Sequence, residues 1–163
     1  MHQATDEPSS HEQQLREARK RTERLINVRD RSSTELKNRL KRAGFSDNVV
    51  NHELEAACKT GLVDDERFTR LYIEGKKNHG WGKNRIEAGL RGFGIDLRLY
   101  EGYPERFFTE ADELKRAQAS LGSFHTTSKD PRGAQYRRLV SKGFSHGIAQ
   151  SALAAHENND DSP

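Results

Sequence analysis

Apolar residues recur along this chain at helical intervals, in short segments separated by glycine. The spacing predicts a long polar helix over 12–30, with Leu15, Ala18, Thr22, Leu25 and Ile26 on one side. Leu36, Leu40 and Ala43 mark a helix at 34–43, and Val50, Leu54 and Ala57 mark another at 47–60 that stops at Gly61. Phe68, Leu71, Tyr72 and Gly75 share a face at 65–78, and Ile86, Leu90 and Phe93 do so at 83–93. Residues 97–103 read as a shorter helix ended by Gly102 and Pro104. Helices at 109–121, 132–142 and 146–156 complete the set, with an irregular stretch at 122–131. No segment alternates as a strand would. The expected fold class is all-α.

The punctuation between these helices repeats. "LKRAGFS" at 40–46, "LRGFGID" at 90–96 and "LVSKGFS" at 139–145 have leading leucines 50 and 49 residues apart. In each, a glycine suited to a left-handed helix end (Gly44, Gly94, Gly143) precedes a large apolar residue and then an N-capping side chain (Ser46, Asp96, Ser145). In the first two, Phe45 with Val50 and Ile95 with Tyr100 have hydrophobic-staple spacing. Near-constant spacing implies an elongated array of three tandem three-helix repeats, at 11–62, 63–106 and 107–156. Polar residues 1–10 and acidic residues 157–163 read as disordered tails.

Composition fits small units sharing faces better than one large core: 33% of residues are charged, 32% are hydrophobic, and mean hydropathy is −1.02. One cysteine, Cys58, excludes an internal disulfide framework, and it reads as a packing residue beside an apolar face. No apolar run approaches a membrane span and no signal-peptide core follows Met1, so a soluble cytoplasmic protein with no membrane partner is expected.

The net charge of +3 conceals an alternation. Segments 11–45, 67–98 and 114–145 carry +6, +5 and +6, and acidic segments follow each of them. Acidic helix starts and basic helix ends explain part of this, but its recurrence favours a positive stripe. The candidate residues are Lys37, Lys41, Arg42, Arg67, Arg70, Lys76, Lys77, Arg85, Arg91, Arg137, Arg138 and Lys142. Such a stripe suits phosphates or an acidic protein groove.

Enzymatic chemistry finds little foothold. Asp64, Asp65 and Glu66 suggest a metal cluster, but sequential residues on a helix do not face one way. Asp64 reads better as an N-cap, with Val63 and Phe68 as its staple. The seven histidines lack ligand spacing, so no metal, no cofactor and no catalytic residue is expected. "GWGKNRI" at 80–86 sets the single tryptophan, Trp81, between glycines before a basic helix. There the indole is either an exposed anchor for a partner or a wedge packing its own repeat.

The order "GFS", "GLVDDERFTRLYI", "GWGKNRI", "GID" and "KGFS", over about residues 33–155, resembles the RecX family of recombination regulators. The resemblance implies tandem three-helix units in a curved molecule and no enzymatic activity. It also implies a monomeric negative modulator acting in DNA repair, recombination and the SOS response. Such a modulator binds the bacterial RecA recombinase filament and inhibits its ATP hydrolysis, strand exchange and co-protease activity. Direct contact with single- or double-stranded DNA is a further partner it allows. Two readings of other classes remain. A helix-turn-helix DNA-binding repressor would need base-reading residues at the helix starts "DNVV", "LRLY" and "HGIA"; an adaptor for protein partners would show no salt-dependent filament binding.

Overall fold

The computed structural model describes residues 10–160, all helix and turn. The helices are α1 (Ser10–Val28), α2 (Ser33–Arg42), α3 (Asp47–Lys59), α4 (Asp65–Asn78), α5 (Lys83–Gly92), α6 (Glu110–Gly122), α7 (Pro131–Ser141) and α8 (His146–Asp160). Of the segments read as loose tails, residues 1–9 and 161–163 lie outside the described residues, whereas Ser10 opens α1 and 157–160 continue α8. The chain forms two compact units, up to Phe68 and from Thr69 on.

All three repeated turns close in the same way. Gly44, Gly94 and Gly143 have φ of 90°, 77° and 92°. Their amides donate to Lys41, Arg91 and Val140, and the next residue reaches back to Leu40, Leu90 and Leu139. This pair of bonds satisfies carbonyls that a helix end otherwise leaves open. The three leucines that receive the second bond are fully buried. Ser46, Asp96 and Ser145 then cap the following helices, accepting from the amides of Val49, Arg98 and Ile148.

In the first unit, Ala18, Leu36, Leu40, Val49, Val50, Ala57 and Val63 form the core. Ser32 caps α2 by accepting from the Glu35 amide at 3.1 Å. Glu35 in turn gathers Arg29, Arg31 and Arg39, and against the upward push of burial Arg29 and Arg31 hold its carboxyl below the ordinary value. Asp64 accepts from the amides of Glu66 and Arg67, the N-cap that the acidic run suggested. Asp65 does more than favour the helix start: its carboxylate takes both the amide (2.7 Å) and the hydroxyl (2.6 Å) of Ser33. Cys58 departs from the packing role read for it, since it is exposed. Partial burial and the Asp65 and Asp64 carboxylates push its thiol up, away from a reactive thiolate.

Glu53 on α3 is 4% exposed; its Oε1 makes no hydrogen bond, and Arg19 lies 3.8 Å away. Burial raises its pKa, outweighing the Thr22 and Arg19 contributions that lower it. A carboxyl whose folded pKa is raised is destabilising once it ionises. Glu53→Gln is therefore expected to stabilise the first unit by ~1 kcal/mol at pH 7. The gain should vanish below the ordinary carboxylate range, and urea unfolding of both proteins at about pH 7 and about pH 3 checks it.

In the second unit, α6, α7 and α8 bury Ala117, Leu121, Leu139, Phe144, Ile148, Ala149, Ala152 and Leu153. Ile73, Ile86, Leu90, Ile95, Leu97 and Phe108 are buried as well. The predicted helix at 97–103 is a correction: only Leu97–Leu99 wind, as a 3-10 helix. Turns follow through residue 107, because Gly102 adopts φ 76° and Pro104 contributes no amide hydrogen. Gly89, inside α5, makes room for Tyr72, whose hydroxyl would collide with a Cβ there.

Candidate protein and nucleic-acid interface

The cations of the second unit converge on two turns. At the end of α4, Gly80 (φ 71°) closes the helix as the three repeated turns do, its amide donating to Lys77 and that of Trp81 to Lys76. This sets Trp81 after the turn, half-buried, with Lys76 Nζ 4.5 Å and Arg85 Cζ 3.9 Å from the ring centroid. Two cations thus lie within cation–π distance of the indole. Arg116 of α6 bonds the Trp81 carbonyl and ties it to Glu113.

Gly82 then starts α5 against the turn after α7. Its amide donates to Lys142 O at 2.8 Å, and that of Asn84 to Gly143 O at 3.0 Å. A Cβ on Gly82 would stand under 3.0 Å from the backbone of Gly143 and Phe144. The docking brings Arg85, Arg138 and Lys142 together. Burial lowers the Lys142 pKa, and the nearby Arg138 and Arg85 charges lower it further. Arg138 stacks its guanidinium 4.5 Å from the Phe124 ring centroid and leaves its Nε buried without a hydrogen bond. Besides its place against Trp81, Arg85 donates to the Ser141 carbonyl, at 3.5 Å. These three carry charge that no carboxylate within ion-pair distance offsets among the described residues.

The other candidates differ. Lys77 pairs with Asp112 at 2.9 Å, and Lys77 and Arg116 hold that carboxyl below its ordinary value despite burial. Arg137 lies 3.7 Å from Asp130, with both side chains exposed. Arg70 is exposed on α4, beside a small cleft with Arg106 and Phe107, and Arg91 is exposed near the end of α5. In the first unit Lys41 pairs with Asp47 at 2.7 Å, Arg42 is exposed and Lys37 half-buried. Arg67 is a correction to the stripe: its guanidinium is spent on Asp30 and on the carbonyls of Gly61 and Leu62. Arg116, Phe124 and Glu113 were not singled out from the sequence. Arg116 shows there only as an ordinary helical charge pair with Asp112, four residues earlier.

Residues 64–99 match the model of the second three-helix domain of RecX. The regulatory protein RecX of Mycobacterium avium is 34% identical over 164 residues, covering 93% of this chain and 89% of that relative. This chain belongs to the RecX family. The RecX regulatory protein of Mycolicibacterium vanbaalenii is 29% identical over 152 residues, covering 84% of this chain and 80% of the relative. The crystal structure of RecX from Lactobacillus salivarius superposes with a TM-score of 0.76 at 14% identity, covering 90% of this chain and 98% of that one. The RecX helical-repeat fold is therefore shared despite wide divergence in sequence. Members of the family are named regulatory proteins, and among the described residues no helix is long and apolar enough to cross a membrane.

Proposed function

We propose that this chain is a non-enzymatic negative modulator of the bacterial RecA recombinase. It acts in the cytoplasm as a monomer, binding the recombinase–DNA filament and inhibiting ATP hydrolysis, strand exchange and co-protease activity. The observation that carries the reading, beside family membership, is the unneutralised Arg85–Arg138–Lys142 cluster next to Trp81. Cations without carboxylate partners are available to phosphates or to acidic side chains of a partner, and an adjacent indole supplies apolar contact. Three helical repeats presenting basic faces would bind weakly one at a time. Linkage raises the effective concentration of each next contact, so modest sites sum to useful avidity. Inhibition then requires that one filament state be bound better than another.

The helix starts speak against base reading by a repressor: Val49, Val50, Leu97, Ile148 and Ala149 are buried there. The test is direct. Added to preformed RecA filaments on single-stranded DNA, the protein is expected to suppress ATP hydrolysis at stoichiometries well below one per recombinase protomer. Unchanged hydrolysis at a full equivalent would reject the proposal.

A further inference from the structure

Lys142 also borders a cleft of about 280 Å³ that the filament reading does not use. Its walls come from the end of α4 (Lys77, Asn78, His79), from α6 and the residue after it (Arg116, Ser120, Ser123) and from Lys142. No carboxylate lines it; Asp112, which pairs with Lys77 and Arg116, and Glu113, which pairs with Arg116, are outside the lining. The Lys142 ammonium sits close to the Gly80 turn, where an added Cβ would come within 3.2 Å of Nζ. That ammonium is crowded by Arg138 and Arg85 and has no anion beside it. An uncompensated, partly desolvated ammonium costs stability unless an anion completes it.

We propose that this cleft binds a phosphate group. Lys142 supplies the principal charge, Lys77 and Arg116 flank it, and Ser123 and Asn78 offer hydrogen-bond donors. A tetrahedral oxyanion presents acceptors in every direction, which suits a lining of cations, hydroxyls and an amide. An apolar ligand would leave those donors unmet. The same chemistry recognises free phosphate and a phosphate esterified at the end of a nucleotide strand. The proposal stands apart from the filament reading, because it concerns the protein alone.

The experiment is an NMR titration of the full chain at fixed ionic strength. The ligands are inorganic phosphate and, separately, a dinucleotide with or without a 5′-phosphate. Saturable shifts in the amides of Lys77–Gly80 and Ser120–Ser123 are expected, with Lys142→Gln weakening binding at least ~10-fold. Asn78→Ala is expected to weaken it by a smaller factor, and Lys115→Gln, an exposed cation of α6 outside the cleft, to leave it unchanged. Saturation by inorganic phosphate identifies a free-anion site. Saturation only by the 5′-phosphorylated dinucleotide identifies a strand-end site. Linear, non-saturating shifts with every ligand would overturn the proposal, as would equal binding by Lys142→Gln and the parent protein. Neither result bears on filament inhibition, which the ATPase assay reads separately.

Discussion

Alanine at Gly143 is expected to lower the stability of the second unit by ~3–5 kcal/mol, whereas alanine at Gly44 costs the first unit ~1–2 kcal/mol. Both glycines occupy the left-handed region at nearly the same φ, and both close the same kind of turn. Around Gly44 a Cβ would meet nothing within 4 Å, so only the backbone penalty applies. At Gly143 the Cβ would fall on Arg85, under 3.0 Å from its backbone nitrogen. Arg85 cannot retreat easily, because the amides of Gly82 and Asn84 anchor the start of α5 to this turn. The overpacking cost therefore adds to the conformational one. Urea unfolding followed by Trp81 fluorescence reports the second unit, and circular dichroism reports both. Equal costs at the two positions would show that the close approach at Gly143 contributes nothing.

The second large effect is electrostatic. Reversing Arg85 and Arg138 together to glutamate is expected to weaken filament binding roughly 100-fold at low salt, on the order of 1.4 kcal/mol for each lost contact. If those contacts are to phosphates, the slope of log affinity against log salt should flatten by about 0.7–0.9 per lost contact. Lys41→Glu should do much less, because Lys41 already shares its charge with Asp47. Arg67→Glu should fail differently, by loosening the tie from Asp30 to the start of α4 rather than by removing an available cation. Binding measured from 50 to 300 mM salt, with circular dichroism of each variant, separates these outcomes. Equal losses for Lys41→Glu and for the Arg85/Arg138 pair would mean that ion pairing does not decide which cations the filament meets.

What the sequence made legible was whatever is decided within a few residues. Helix boundaries fell within about two residues, except at the end of α8, which runs to Asp160 instead of 156, because caps and left-handed glycines are local devices and nothing of the kind ends α8; the three repeated turns announced themselves by spacing alone. The segment 97–103 failed because only Leu97 is buried there while Leu99 is exposed, and Gly102 and Pro104, read as a helix end, lie in the turns that already follow Leu99. Long-range partnerships were illegible. Asp65 looked like a dipole-favoured carboxylate and proves to hold Ser33, and Arg67 looked like one more member of a basic face and proves to be structural. The site was half legible for the same reason. Lys76, Arg85, Arg138 and Lys142 could be named as basic, but the pairing of the Gly82 and Gly143 turns that gathers three of them has no signature in either segment.

That pairing has a mechanical consequence. The opening amides of α5 end on carbonyls at the close of α7, so the positive end of one helix dipole abuts the negative end of another. Neither end can fray without stranding the other's hydrogen-bonding groups, which places both in one cooperative opening unit. The guanidiniums of Arg85 and Arg138 therefore project from a stiff joint rather than from two independently moving helices. A partner meets their backbone anchors at a preset separation, and little ordering entropy is lost when it docks.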